Sequence, residues 1–551
     1  MSRIYSGGIW YEEDDIERRI KAYKRKLSAL NMGKDEVAGL YLKRNMGMLL
    51  LMFAMYELRI PFLPLDINAP DKRNEGIIRQ AGILKMIVNT DCNIKGAEII
   101  RIDFADEADE IKSSESDIAY CIATSGTTGK PKIVETGRIA FDTWMEDYSN
   151  FLSLNEKGSI LCTSEYTFDM FFIETFFARY AGLDIVLAGE EEQKNPLKLT
   201  KLIRKENISY IQMTPSRIKM IGFADPQFSS FSRVKQIWLG GECIGSSLLK
   251  RLQQKGKRLI NIYGPTETTV CCIAGDVTCG EENIGFPLTH SRIYLLDENN
   301  NAVSDGQTGE LCVSGICLAN GYRNNSEETG RRFDEFGGSR LYRTGDMAVR
   351  NEEGKYIYKG RQDHQIKLKG FRIEPGEIEK SLGDIAGLKD VCVLLGTERE
   401  ELVAFYVAEE DIKPQVFMEK AREKLPEYMI PYRYVRIKEL PVTVNGKRDK
   451  QELMGLLENK SKYKLRKADV RTDDIEGTIL KMVKNKLETD KDIDAEENLY
   501  DEGLDSLLYV ELLVEIEDLY GIEFEEDKVS YKELSNVREI ADYVKGVLRK
   551  K

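Results

Sequence analysis

Histidine is scarce in this chain. His290 and His364 are the only two among 551 residues, too few for a histidine-rich metal centre and a poor basis for a serine-hydrolase triad. The ten cysteines include no CxxC pair, and Cys271 and Cys272 are neighbours. That spacing argues against a disulfide framework and fits reduced thiols in a cytoplasmic protein. Long apolar runs are also missing. The longest, Met46 to Tyr56, falls short of the roughly 20 residues needed to span a bilayer and reads as a buried helix. The opening MSRIYSGGIWYEED lacks the apolar core of a signal peptide. Positive charge is not in excess: the net charge of −13 argues against a general nucleic-acid binder. Residues 468–551 hold 24 Asp and Glu against 12 Lys and Arg, so nearly all the surplus acidity sits in that C-terminal piece.

A composition of 42% hydrophobic and 31% charged residues is that of a globular protein with a real core, long enough for several domains. Short apolar runs recur at Met86–Val88, Ser159–Cys162, Asp184–Leu187, Ile208–Met213, Ile237–Leu239 and Leu259–Ile262. Amphipathic stretches such as Asn195–Glu206 and Ser246–Lys255 separate them. Strand–helix alternation predicts an α/β architecture with largely parallel sheets. Beyond about Gly275, turn-rich segments (Ser291–Leu296, Gly309–Ser314, Gly354–Gly360) predict a smaller antiparallel part. A polar stretch near Gly360–Gly370 suggests a hinge before a mixed helix–strand segment. The basic stretch Ser461–Arg471 reads as a linker. Helical patterns follow at Ile475–Leu487, Leu507–Tyr520 and Val537–Leu548.

Chemistry-bearing motifs interrupt this pattern. TSGTTGKPK, Thr124 to Lys132, follows the apolar strand Ile118–Ala123. Glycines allow close backbone approach, N–H groups and hydroxyls donate to phosphate oxygens, and lysines add charge. The spacing is not that of a Walker loop, and in isolation a flexible surface loop explains it equally well. Tyr263-Gly264-Pro265-Thr266-Glu267 reads as a strand end and a sharp turn with a surface acid. Taken alone, Asp346 in Tyr342-Arg343-Thr344-Gly345-Asp346 is a turn residue and Arg361 a solvated charge. Asn445-Gly446-Lys447 is a hairpin tip. Together with Gly360-Arg361-Gln362-Asp363-His364-Gln365-Ile366-Lys367, these motifs resemble the adenylate-forming enzyme superfamily, in the family's order, over roughly Asp35 to Asp449. Within it the likeness is to adenylation domains of nonribosomal peptide synthetases and to D-alanine–carrier-protein ligases.

The resemblance implies roles. Thr124, Ser125, Gly126, Thr127, Thr128, Gly129 and Lys132 would embrace ATP phosphates. The position of Tyr263 stacks on adenine, Thr266 touches the AMP phosphate, and Glu267 helps hold Mg²⁺. Asp346 would grip the ribose hydroxyls, with Arg361 near AMP. Lys447 would bridge the substrate carboxylate and the α-phosphate, offsetting repulsion between two anions and stabilising transition-state charge. Asp363 matches the hinge about which a small lobe turns, Lys447 serving adenylation and the face around Lys367 to Gly370 serving thioester formation. Asp363 could equally be a solvated loop acid.

Asp169 lies in the apolar run Tyr166 to Phe177. It is either a helix N-cap or, as in amino-acid-activating relatives, the partner of the substrate ammonium, since a buried carboxylate needs a cation. Met170, Ile173, Ser216, Ile237, Leu239, Ile262, Val270 and Cys271 are expected to line the side-chain pocket. None is charged, and bulky Leu239 and Ile262 should shorten it. A small apolar amino acid follows: alanine of either hand first, then glycine, valine or a small relative. The chain departs from the family at Ile133, where Gly is usual, at Pro375, where Leu is usual, and in a late-starting first segment.

Gly503-Leu504-Asp505-Ser506-Leu507 precedes an amphipathic stripe of Leu508, Leu512, Ile516 and Leu519. Ser506 could be a plain N-cap. The segment also resembles a peptidyl carrier protein, in which the matching serine carries 4′-phosphopantetheine, and its acidity suits docking to a basic transferase. The expected fold is a large α/β adenylation core (1–362), a small mobile α+β C-terminal subdomain (363–460), a linker (461–472) and an all-α four-helix carrier domain (473–551). The expected activity is ATP- and Mg²⁺-dependent activation of an amino acid, then loading of the arm on Ser506. Expected partners are a phosphopantetheinyl transferase and a downstream condensation, reductase or other carrier-accepting enzyme, with no nucleic acid and no membrane. Rival readings are a D-alanine–carrier ligase of cell-wall modification, an acyl- or aryl-CoA ligase, and an inactive scaffold presenting the carrier.

Overall fold

The computed structural model describes residues 2–101, 113–126, 130–154, 157–362, 365–368, 370–396, 401–431, 433–441, 448–458, 474–487, 492–499, 502, 504, 506–520, 522, 524 and 534–550. Two large sheets carry the core. The nine-stranded sheet is parallel through its centre, where Asp184–Leu187, Ser159–Cys162, Tyr210–Met213, Gln236–Gly240 and Arg258–Tyr263 lie side by side. The seven-stranded sheet runs through Lys132–Gly137, Ile118–Thr124, Phe62–Pro64, Ala38–Tyr41 and Lys85–Val88. These strands are short continuous apolar runs because helices or the other sheet cover both faces.

The largest apolar cluster lies between the two sheets and takes in residues of both, with Phe141, Trp144, Phe172 and Phe176. The run expected to be a buried helix is one, Met46–Glu57, with nine of its residues buried. Asn45 caps it, its side chain accepting from the Met48 N–H. A second cluster fills the other face of the nine-stranded sheet, beneath Pro196–Lys205, Pro215–Ala224 and Ser246–Gln253. Side chains alternate across a strand. Along Gln236–Gly240, Trp238 therefore joins the inner cluster while Ile237 and Leu239 join the outer one.

The expected antiparallel part is a five-stranded sheet formed by Ser291–Leu296, Thr308–Gly315, Ser339–Arg350, Phe333–Phe336 and Tyr356–Arg361. It is followed by the hairpin Ile366–Leu368 and Phe371–Ile373. Next comes a three-stranded sheet of Leu388–Gly396, Glu401–Ala408 and Arg433–Ile437 with the helices Pro375–Leu382 and Pro414–Arg422, which share a core of their own. The C-terminal piece holds Ile475–Lys486, Ser506–Tyr520 and Val537–Lys550, three helices among the described residues, around a separate core. Leu197 of the large core packs against it. Asp363, expected to be the hinge, and the whole of the expected 461–472 linker lie outside the described residues.

Candidate functional site

The strand Ile118–Thr124 and its antiparallel neighbour Lys132–Gly137 bring the two ends of the TSGTTGKPK loop together, Thr124 opposite Lys132. Thr127, Thr128 and Gly129 lie outside the described residues. Gly126 must be glycine: a Cβ there would sit 1.9 Å from the Lys130 carbonyl oxygen. Thr124 Oγ1 donates weakly to the Lys132 carbonyl at 3.4 Å. Lys132 was expected among the phosphate ligands. Its ammonium is instead buried against Glu328 Oε1 at 2.5 Å, over the Tyr322 ring, and so anchors the stem of the loop.

The strand Arg258–Tyr263 delivers the second motif. Gly264 turns so tightly that a Cβ would lie 2.5 Å from Cys271 Cα. Glu267 follows, with no solvent exposure. Its Oε1 accepts from the Tyr322 hydroxyl at 2.6 Å, and Arg372 Nη1 donates to both oxygens at 3.0 and 2.7 Å. Burial alone would raise this carboxyl, but the Arg372 charge and the Tyr322 bond outweigh it and bring the pKa down to about 2.

Asp346 and Arg361 face each other across a strand pair. Arg361 Nη1 donates to Asp346 Oδ1 at 2.6 Å, the Tyr263 hydroxyl to Oδ2 at 2.6 Å, and Lys367 Nζ reaches Oδ2 at 3.4 Å. The Lys367 ammonium also lies over the Tyr263 ring. Tyr263, Asp346 and Arg361 thus form one constellation, as the motifs implied.

Asp169 opens the helix Met170–Phe172 but makes no side-chain cap bond, which removes the N-cap reading. It is 8% exposed, and its Oδ2 is buried with no hydrogen-bond partner. Burial raises its pKa to about 6; a bond with Thr266 opposes that rise and the Glu267 charge adds to it. This is a carboxylate in want of a cation.

The expected pocket wall needs one correction. Ile237 and Leu239 face the outer helices, not the side shared with Asp169. The strand's other residues, Trp238 and Gly240, take that side, because a one-residue slip in a strand turns every side chain over. A Cβ on Gly240 would lie 2.5 Å from Ile262 Cγ1 and 2.7 Å from Met170 Cε, so these two side chains already meet over the glycine. Ile173, Ile262, Val270 and Cys271 share the inner cluster. The Trp144 indole N–H donates to Cys271 Sγ at 3.2 Å. Ser216 is engaged with Glu242, its Oγ donating at 2.5 Å.

The hairpin 366–373 reaches into this site. Ser125 Oγ donates to the Arg372 carbonyl at 2.6 Å, and the Gly370 N–H donates to Glu242. Glu377 accepts from the Gly126 N–H at 3.3 Å and pairs with Arg73. Phe371 stacks on Tyr428 at 4.0 Å and meets Phe168 edge-on. Gly370 sits at φ 83°, where a Cβ would come 2.5 Å from Thr214 Cγ2. Arg372, Tyr322, Glu242 and Glu377 were not legible in the motifs; for Trp238 and Gly240, strict period-two alternation was the available signal.

The site suits its cofactors. Ser125 and Gly126, at the start of the glycine-threonine loop, have a hydroxyl and an N–H of the kind that donates to a polyphosphate, and Glu267 would offer a carboxylate to Mg²⁺, whose other oxygens a triphosphate would supply. Arg372 holds that carboxylate in the present arrangement. Lys447 and the side chain of Ser506 lie outside the described residues, and no helix among those described is long and apolar enough to cross a membrane.

Comparison with known proteins agrees with this geometry. Residues 4–323 match the AMP-binding enzyme family, residues 377–447 the AMP-binding enzyme C-terminal domain, and residues 477–544 the phosphopantetheine attachment site. Zwittermicin A synthase ZmaJ of Bacillus cereus is 30% identical over 466 residues, covering 80% of this chain and 89% of that protein. Bacitracin synthase 3 of Bacillus licheniformis is 33% identical over 459 residues, covering 80% of this chain but 7% of that much longer protein. Among solved structures, a nonribosomal peptide synthetase protein containing adenylation and carrier domains, bound to a vinylsulfonamide inhibitor, superimposes with a TM-score of 0.82 at 22% identity, over 99% of this chain and 94% of that one. The chain belongs to the AMP-binding enzymes, as an adenylation domain of the nonribosomal peptide synthetase type, which uses ATP and Mg²⁺, fused to a carrier domain that bears phosphopantetheine.

Proposed function

We propose that the protein activates a small apolar amino acid, alanine of either hand first and glycine or valine next, and loads it onto its own carrier domain. The observation that carries this reading is Asp169, a buried carboxylate with an unpartnered oxygen, close enough to Glu267 for that charge to raise its pKa. An α-ammonium group is the cation it lacks, whereas a fatty or aryl acid brings none. The closure of Met170 and Ile262 over Gly240 supports a short side chain. Vibrio cholerae AlmE, of the same fold with a TM-score of 0.74, was solved with glycyl-adenosine-5′-phosphate.

In the first step the substrate carboxylate attacks the α-phosphorus and pyrophosphate leaves. Asp169 holds the ammonium, Thr124, Ser125, Gly126, Thr127, Thr128, Gly129 and Thr266 line the phosphate path, and Tyr263, Asp346 and Arg361 fix the nucleoside. Lys447 comes from the small lobe to bridge the two anions. Glu267 would hold magnesium, which when bound would compensate the charge of the triphosphate. In the second step the aminoacyl group passes from AMP to the carrier; the pantetheine arm on Ser506 supplies the accepting thiol. The inserted hairpin favours reading the present arrangement as that of the second step. We place the core at 1–362, the small lobe at 363–460 turning about Asp363, and the carrier at 473–551. The contact of Leu197 with the carrier helices favours loading within one chain.

ATP–pyrophosphate exchange with a panel of amino acids tests the reading. Alanine or glycine should support exchange well above leucine or phenylalanine. A folded protein that exchanges with no amino acid would refute it.

A further inference from the structure

One wall of the substrate pocket is a strained turn. Thr269 and Val270 have φ of 56° and 65°, a region β-branched residues rarely enter. Such residues persist only where their surroundings hold them. Val270 and Cys271 pack in the inner cluster with Ile262 and Ile173, so the shape of the turn sets where the pocket ends.

The bonds that hold this turn converge on His290. Thr269 Oγ1 donates to the Cys317 carbonyl at 2.7 Å, and the Cys317 N–H donates to the His290 carbonyl at 3.2 Å. A Cβ on Gly315 would lie 2.5 Å from that same carbonyl, so the His290 main chain has little room to move. The imidazole has no exposure, and its Nδ1 lies 2.8 Å from Asp147 Oδ2. A carboxylate only accepts, so Nδ1 carries the proton. Nε2 is buried and faces the Cys271 main chain. Asp147 belongs to the helix Arg138–Leu152. One turn earlier on the same face stands Trp144, which donates to Cys271 Sγ. One helix face therefore grips the turn twice, through Cys271 directly and through His290.

We propose that His290, fixed by Asp147, is a positioning residue for the side-chain end of the pocket, holding the Thr269–Val270–Cys271 turn in the shape that closes around a small substrate. This rests on the amino-acid reading of the site. Without the Asp147 bond the ring loses its fixed orientation against the Cys271 main chain, and Thr269 and Val270 relax towards negative φ, carrying the pocket wall outward.

The test compares wild type with His290→Leu, which removes the donor, His290→Asn, which keeps an N–H near the place of Nδ1, and Asp147→Ala. In ATP–pyrophosphate exchange, His290→Leu and Asp147→Ala should raise KM for the preferred amino acid about tenfold and leave KM for ATP unchanged. His290→Asn should restore most of the loss. Equal rises in both KM values, or none, would overturn the proposal. A second readout needs no substrate: alkylation of Cys271, followed by peptide mass spectrometry against Cys312 as internal control, should accelerate about tenfold in His290→Leu. An unchanged rate refutes the role of His290 in holding the turn. Wild-type protein that exchanges with no amino acid refutes the amino-acid reading instead, and the alkylation result then still decides whether His290 holds the turn.

Discussion

Replacing Arg372 by alanine separates the two half-reactions. In the present arrangement Arg372 is the charge partner of Glu267, through bonds of 3.0 and 2.7 Å to a carboxylate with no exposure. Removing one member of a buried pair leaves the other charge uncompensated, at a cost of about 3–5 kcal/mol. On the reading proposed above, the hairpin withdraws for adenylation, and Glu267 would then face magnesium and water in place of Arg372. The cost therefore falls on the inserted arrangement alone. At about 1.4 kcal/mol per factor of ten, even 3 kcal/mol lowers the population of that arrangement about a hundredfold. Single-turnover transfer from a preformed aminoacyl-adenylate to pantetheinylated carrier should slow by about two orders of magnitude. ATP–pyrophosphate exchange should stay within about threefold of wild type. Arg372→Lys, which keeps charge but loses the planar fork, should fall between. If exchange and loading decline together, or loading is untouched, the competition between Arg372 and magnesium for Glu267 is wrong.

Asp169 gives a pH prediction. Its pKa of about 6 lies above the ordinary 3.8, so ionising it in the empty site works against folding. The stability it withholds is fully present below pH 3.8 and lost as pH rises through 6. At about 1.4 kcal/mol per unit, Asp169→Asn should stabilise the ligand-free protein by roughly 2–3 kcal/mol at pH 8, seen as a higher Tm, while cutting amino-acid-dependent exchange at least a hundredfold; a lower Tm would contradict the assignment. In wild type, KM for the amino acid should rise as pH falls through 6, because a protonated carboxyl cannot pair with an ammonium. Ile262→Ala should open the space over Gly240 and admit leucine or methionine in the exchange assay, with no gain expected from Leu239→Ala, which faces the outer helices. Lys447→Ala should abolish exchange yet leave Ser506 open to pantetheinylation, whereas Ser506→Ala should reverse that pattern, as mass spectrometry of the carrier would report.

The sequence by itself determined the chemistry and the order of the parts. Glycine, threonine and lysine clustered after an apolar strand suit a polyanion or a plain surface loop equally well, and it was the ordered set of motifs, resembling the adenylate-forming family, that chose between them. The continuous apolar runs of a parallel sheet, the buried helix at Met46 and the helical C-terminal piece were legible because burial on both faces, or on one stripe, writes itself into a short window. Only the tertiary structure decided which face each side chain takes and which distant charges meet. Ile237 and Trp238 are adjacent and equally apolar, so composition cannot tell the outer wall from the pocket wall; the parallel register with Arg258–Tyr263 does. Lys132 looks like a phosphate ligand until Glu328, 196 residues away, claims its ammonium. Arg372 reads as one more basic residue until the hairpin carries it to Glu267, 105 residues earlier in the chain. Long-range pairing depends on how whole elements pack, and a window of neighbouring residues contains no trace of it.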